Sequence, residues 1–429
     1  MQDLLYLVHR IPYPPNKGDK IRSYHMLKFL SRRYRVHLGC FIDDPNDRQH
    51  IARLEAMCAS CRFILQRPLL ARLRSLGALA TGRPMSLPYY RSRTLQKWVD
   101  QLLMGGQIKH ALAFSGPMAQ YLDFVPASLT LHRVIDFVDV DSEKWRQYGA
   151  MKCWPLAQLY RREARHLLAY ESTVTRQFDG VTFVSSAEAQ LFLQRAQPET
   201  PDQHKVTFFN NGVDVDFFSP QRAYPNPYAG AVGAKVLVFT GAMDYWPNVE
   251  AVQWFAARVL PALLARFPTL EFHIVGARPS AKVKALAQVP AIKVSGGVPD
   301  IRPYLAHATL AVAPLRIARG IQNKVLEAMS MEKTVVATPQ ALEGIGALPG
   351  IDIVVAEDEV QFIAVLSRLL SAKADDRIGL AARRRVVQDY SWEKNLMQLD
   401  CVLNAGTGFQ QQLEMQLKPQ VAQQLEQWS

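Results

Sequence analysis

The stretch Ala318-Arg319-Gly320-Ile321-Gln322-Asn323-Lys324-Val325-Leu326-Glu327-Ala328-Met329 places a glycine turn, a lysine and a glutamate where an apolar strand gives way to a helix. Free amides at a helix start, the positive end of its dipole and a nearby ammonium together favour phosphate oxygens, so the junction is suited to hold a diphosphate. The strand before it reads Thr309-Leu310-Ala311-Val312-Ala313, with Pro314 marking its end, and Val325, Leu326, Ala328 and Met329 have the apolar spacing of a buried helix.

A second cluster, Asp136, Asp139 and Asp141, lies at the end of another apolar strand and just beyond it. A carboxylate there could orient or deprotonate a hydroxyl. His132, at the start of the same strand, fits a structural role better. Near the amino terminus Gly18, Asp19 and Arg22 lie in and after the loop that follows the first strand, where ligands of open sheets gather. Asp19 equally fits a helix N-cap. Asn248 fits a cap better than a phosphate ligand, and Ser185 with Glu188 three residues on reads as a helix start.

The elements that must position these residues follow from hydrophobic patterning. Leu4–Val8 is a short strand, a loop rich in proline and glycine follows, Ile21–Leu30 has helical spacing, and Val36–Ile42 is a second strand. This βαβ unit predicts a parallel sheet. Further strands are expected at Ala111–Phe114, Arg133–Phe137, Gly180–Val184 and Val206–Phe209. A second series is expected at Lys235–Thr240, Glu271–Val275, Ala291–Val294, Thr309–Ala313, Thr334–Ala337 and Asp352–Val355. The Pro-, Gly- and Tyr-rich run from Ser219 to Ala234 reads as the linker. The organisation expected is a first domain over 1–220, a second over 221–390, and a helix from 391 returning to the first domain, followed by a Gln-rich tail to 429.

At 429 residues, 49% hydrophobic and 21% charged, the chain has the composition of a globular protein of two domains. No run reaches the roughly 18 apolar residues of a membrane span, and Met1–Val8 lacks the basic start of a signal peptide, so a cytoplasmic location is expected. Of five cysteines, only Cys58 and Cys61 have ligand-like spacing; no second pair completes a zinc site, and a structural role outweighs a redox one. The net charge of +12 calls for an anionic partner. Between Ala56 and Val99 there is no acidic residue, while arginines from Arg62 to Arg93 and Lys97 alternate with Leu69, Leu70, Leu73, Leu76 and Leu79. Such a segment, residues 62–97, suits an anionic membrane surface, and equally a solvated helix face. Nucleic acid is not expected, since no aromatic platform or recognition helix accompanies the charge.

The segments RIPYPPNKGDKIR, VIDFVDVDSEKW, NNGVD, FTGAMDYWPN, GGVPDIRPYL and ARGIQNKVLEAMSMEKTVVAT, in this order, resemble the GT-B glycosyltransferases of family 4, most closely the sugar transferases of exosortase (PEP-CTERM) and exopolysaccharide systems. The resemblance covers nearly the whole chain. It implies an α/β fold of two Rossmann-like parallel-sheet domains facing across a cleft, with the acceptor on the first and the nucleotide sugar on the second. The implied activity is a retaining transfer from a nucleoside-diphosphate sugar to a hydroxyl, on a lipid-linked saccharide. Neither cofactor nor metal is implied, although Asp139-Val140-Asp141 matches the DxD spelling of metal-dependent GT-A transferases.

By the same resemblance Glu327 binds the ribose hydroxyls, Lys324 faces the diphosphate, and Gly320 and Asn323 complete the donor loop. Gly18 approaches the donor phosphate, with help from Arg22. Gly241 and Gly276 line the carboxyl edge of the second sheet, and the backbone around Val298 reads the base. Asp136 is the first choice for the acceptor-side carboxylate and Asp139 the second. Arg319 departs from the pattern: the family usually has a second glutamate there, and a guanidinium can instead grip the leaving phosphate or an acidic donor sugar. An epimerase acting on the donor alone, or a sugar-nucleotide-binding subunit without activity, are the competing readings.

Overall fold

The computed structural model describes residues 1–15, 17–126, 129–151, 153–196, 203–230, 233–318, 321–371 and 377–405, with 80 and 151 by backbone alone. The chain divides into two compact units, Met1–Asn210 with the segment from Leu396 onward, and Asn211–Asn395.

The first unit is built on seven strands: β1 Gln2–Val8, β2 Tyr34–Ile42, β3 Ser60–Leu65, β4 Ile108–Phe114, β5 His132–Val138, β6 Gly180–Phe183 and β7 Val206–Phe208. They pair in parallel in the order β3-β2-β1-β4-β5-β6-β7. Central strands are near-continuous apolar runs because helices cover both faces; Leu4 to Val8 are all fully buried. The strand order reverses between β1 and β4, which makes the space beyond their carboxyl ends the natural ligand position of this sheet.

β3 falls inside the stretch that the charge pattern marks only as a basic surface. It is a half-buried edge strand, paired through Cys40↔Phe63, and Arg62 on it is one of the exposed charges that blunt an edge. The basic, leucine-bearing character is concentrated after it, on the helix Pro68–Leu76, whose Leu69, Leu70, Leu73 and Leu76 are exposed.

The second unit has six parallel strands, β8 Val236–Thr240, β9 Glu271–Val275, β10 Ile292–Gly296, β11 Leu310–Ala313, β12 Val335–Ala337 and β13 Val354–Val355, in the order β10-β9-β8-β11-β12-β13. Its switch point lies between β8 and β11. The run from Ser219 is not a free linker. Tyr228 is buried and donates to Tyr304 O at 2.8 Å, and further up the chain Val213 N donates to Tyr390 O at 2.7 Å, so this segment is packed onto the second unit and the division falls near 210. The helix Trp392–Leu403 joins the first unit from Leu396, where Asp400 accepts from Tyr34 Oη at 2.9 Å. The Gln-rich tail lies outside the described residues. No described helix is long and apolar enough to cross a membrane.

Candidate active site

In the second unit the loop after β11 leads into the helix Asn323–Ser330. Lys324 and Glu327 are three residues apart on it, and so share a face. Lys324 Nζ donates to Asn248 Oδ1 and lies 4.6 Å from the centre of the Phe239 ring; Asn248 Nδ2 donates in turn to Ala242 O at 2.9 Å. Asn248 is therefore no helix cap: Tyr245 occupies that position, and Asn248 ties the lysine to the loop after β8. Gly241 has φ 149°, and a Cβ on it would approach Asn248 Nδ2 to 2.8 Å and Lys324 Nζ to 3.2 Å. A Cβ on Gly276 would fall 1.6 Å from Gly241 O, so these two glycines are required by the approach of one backbone to the other.

Burial lowers Lys324 to about 8, against the opposing charge of Glu327, and raises Glu327 to about 7, against that of Lys324. Both groups are only partly covered at their surface, and Glu327 accepts no side-chain hydrogen bond among the described residues. Asn323 Oδ1 is buried without a partner there as well. A desolvated carboxylate and ammonium one helical turn apart, with unused hydrogen-bonding capacity, have the chemistry to accept vicinal hydroxyls and to pair with an anion. Val298 follows β10 with its side chain against the core of this unit. Arg319 and Gly320 lie outside the described residues.

In the first unit the structure corrects two assignments. Arg22 and Asp136 are both fully buried and bind each other, Nε to Oδ2 at 2.7 Å and Nη2 to Oδ1 at 3.1 Å. Arg22 also donates to Phe209 O at 3.0 Å and stacks 3.7 Å above the Phe209 ring, while Thr182 Oγ1 donates to Asp136 Oδ1 at 3.1 Å. Arg22 is thus not a phosphate ligand, and Asp136 is not an acceptor base. The pair locks the helix Gly18–Leu30 to β5, β6 and the end of β7. Asp19 is not an N-cap either, since Lys17 holds that position. It accepts from Arg10 Nη1 at 2.9 Å and faces His9 Nε2 at 3.3 Å. Burial pushes the Asp19 carboxyl up, but His9 and then Arg10 outweigh it and hold the group well below the usual range. Gly18 opens that helix, and a Cβ there would meet nothing within 4 Å.

Asp139 is exposed just past β5, immediately after a tight turn. Val138 has φ 72° and Asp139 N donates to Phe137 O at 3.0 Å, a γ-turn centred on a β-branched residue. Such a conformation costs about 1–3 kcal/mol and persists where surrounding contacts enforce it. Here they do so through the next amides. Val140 N donates to Glu188 Oε2 at 2.8 Å, and Ser142 donates to Glu171 from N at 3.1 Å and from Oγ at 2.6 Å. Ser185 Oγ caps its helix as the sequence suggests, accepting from Glu188 N at 3.3 Å. Burial, reinforced by Asp141 against the Ser142 hydrogen bonds, pushes Glu171 up to about 8. Sequence reasoning passed over Glu171 and His9. The signal for the first was a carboxylate in register with buried Leu167 and Val174 on one helix face; for the second, a histidine directly after β1. His132 is structural, bonded to Val402 O at 2.9 Å.

Comparison with known proteins shows which fold the chain shares. Residues 234–372, all within the second unit, match the family model described as glycosyl transferases group 1. HepE of Anabaena, solved with UDP, has a similar fold, with a TM-score of 0.64 at 15% identity over 95% of this chain and 100% of that one. WaaG, a glycosyltransferase involved in lipopolysaccharide biosynthesis, gives 0.58 at 16% identity over 94% and 100%. The fold is that of the GT-B glycosyltransferases.

A D-inositol 3-phosphate glycosyltransferase of Geodermatophilus obscurus is 25% identical over 254 residues, 55% of this chain and 54% of that protein. The match thus spans about half the length of that curated relative. Each of these similarities is to a glycosyltransferase or to a structure of that fold.

Proposed function

We propose that this protein is a retaining glycosyltransferase of family 4 that moves a sugar from a nucleoside-diphosphate donor to a hydroxyl of a lipid-linked saccharide, in exopolysaccharide or envelope glycan assembly. The observation that carries the reading is the pair Lys324 and Glu327, desolvated and one turn apart beside the switch point of the second sheet. Glu327 accepts the two ribose hydroxyls, and Lys324 meets the diphosphate and the charge that grows on it as the donor bond breaks. Gly241, Gly276 and Asn323 shape the donor site, the backbone at Val298 contacts the base, Gly320 belongs to the donor loop, and Arg319 grips the leaving phosphate or an acidic donor sugar.

In the transfer the bond from the sugar's anomeric carbon to the phosphate oxygen breaks and a bond to the acceptor oxygen forms on the same face. The acceptor proton passes to the leaving phosphate, so neither a metal nor a carboxylate nucleophile is needed. Asp139, held out by the strained turn at Val138, orients the acceptor hydroxyl. HepE, solved with UDP, supports the donor class, and WaaG supports the envelope setting. The exosortase association rests on the six segments that carry the family resemblance. The protein works in the cytoplasm, peripheral to the inner face of the plasma membrane through residues 62–97, where exposed leucines stand among arginines.

A thermal-shift series with UDP, GDP, ADP and their sugars tests this. A true donor nucleotide at about a hundred times its Kd adds about 2.7 kcal/mol of apparent stability. One base should raise the melting temperature, and product analysis with the matching sugar and a lipid-linked acceptor should show transfer with retained configuration. No shift with any nucleotide would sink the reading.

A further inference from the structure

We propose that a groove on the first unit binds the phosphate head of a membrane lipid, seating its chain along the helix Pro68–Leu76; the idea rests on the lipid-linked acceptor reading above. The groove, about 450 Å³, opens where β2 and β3 end, at the carboxyl edge from which Val138 and Asp139 also leave the same parallel sheet. It therefore places a lipid anchor on the side of the sheet at which the acceptor hydroxyl is to be presented.

Charge and shape select the occupant. Arg67, Arg74, Arg91 and Arg93 line the groove, and none forms an ion pair among the described residues. Arg74 donates to Arg91 O at 2.7 Å, which holds the cationic rim together. The helix Arg93–Met104, capped by Ser92 Oγ accepting from Leu95 N at 3.3 Å, begins at the groove and turns the positive end of its dipole toward it. No acidic residue occurs between Ala56 and Val99, and the carboxylate felt at the groove, that of Asp123 near Arg91, leaves the arginines in excess.

Beside this anion receptor, Leu70 and Leu73 line the groove while remaining 51% and 65% exposed, and Leu69 next to them is 76% exposed. A soluble phosphate would use the arginines and leave the leucines wet. A lipid phosphate uses both, because withdrawing apolar side chains from water adds to the attraction of the charges.

The test is flotation of the full chain with phosphatidylcholine vesicles, with and without a minor share of phosphatidic acid. Wild type should float only with vesicles that contain the anionic phosphatidic acid, and inorganic phosphate at the same phosphate concentration should not displace it. The double variant Arg67→Glu with Arg93→Glu should weaken flotation by about tenfold or more, since each basic residue at such a surface is worth about 1 kcal/mol. Arg72→Glu lies on the same helix but outside the groove lining, and should weaken it clearly less than either groove arginine changed singly. Leu70→Ser with Leu73→Ser keeps every charge and should also reduce binding. Equal losses from the Arg72 and groove variants, or no loss from the leucine pair, would replace the site with diffuse attraction. Displacement by inorganic phosphate would make it a soluble-anion site and overturn the lipid. The nucleotide-induced melting shift, measured on every variant, reports on folding and on the donor reading independently.

Discussion

Arg22 with Asp136 in the first unit and Lys324 with Glu327 in the second are both cation and carboxylate pairs, and their surroundings make them opposites. The first is saturated: two hydrogen bonds join the partners, backbone carbonyls and Thr182 take further donors and acceptors, and no atom faces solvent. The second keeps Lys324 on Asn248 and leaves Glu327 without a side-chain hydrogen bond among the described residues, at the price of ionisation equilibria displaced toward neutrality. Desolvation compensated by internal partners makes an anchor. Desolvation left partly uncompensated makes a site, because a ligand can supply what is missing.

The sharpest way to break this contrast is to remove one partner of the anchor. Arg22→Ala should cost about 3–5 kcal/mol in denaturant unfolding, because it strands the buried Asp136 charge. Unfolding within 1 kcal/mol of wild type would show that the pair is no anchor. Lys324→Met should act the other way round, lowering turnover by about 10²–10³ with little loss of melting temperature, as expected for a group that stabilises developing charge. Glu327→Gln should weaken nucleotide binding by about ten- to a hundredfold in calorimetry, the loss of hydrogen bonds to a charged acceptor. An unchanged affinity would remove Glu327 from the ribose.

The smallest effect is a pH profile. Nucleotide binding needs Glu327 ionised and Lys324 protonated, so affinity should peak between about 7 and about 8 and fall on both sides. Stability of the unliganded protein should move inversely. The raised Glu327 group contributes stability at acid pH that is lost as pH rises through about 7, and the lowered Lys324 group contributes stability at high pH that is lost as pH falls through about 8. Melting curves that show no such dip, together with a flat binding profile, would mean that the two groups do not titrate as a site.

Most of the sheet framework was legible because buried parallel strands are short apolar runs bounded by glycine, proline and polar turns. β3 escaped, being an edge strand whose half-exposed residues lack that signature. The linker was misplaced because proline and tyrosine at 219–230 mark an irregular path, while Tyr228 shows that the path is packed. The shared helix face of Lys324 and Glu327 was legible from local spacing, and so was the cap formed by Ser185. Asn248, Arg22 and Asp136 differ from their sequence reading, and Asp19 loses its cap alternative, for one reason: each binds a partner outside its own helix turn or strand.

What the sequence by itself determined is therefore whatever depends on a few neighbouring residues. The strand-to-helix junction at 314–327 is of this kind, since the helical repeat alone places Lys324 and Glu327 on one face. The acid-free basic stretch, visible without any fold, is another. Only the tertiary structure decided which charges are spent and which are available. Strand order carries Arg22 to Asp136 and closes that pair, brings Glu171 and Glu188 to the amides beside Asp139, and sets Lys324 against Asn248. The physical reason is that a carboxylate's role is fixed by what shares its desolvated surroundings, and in a sheet whose neighbours are distant in sequence those surroundings are assembled only on folding.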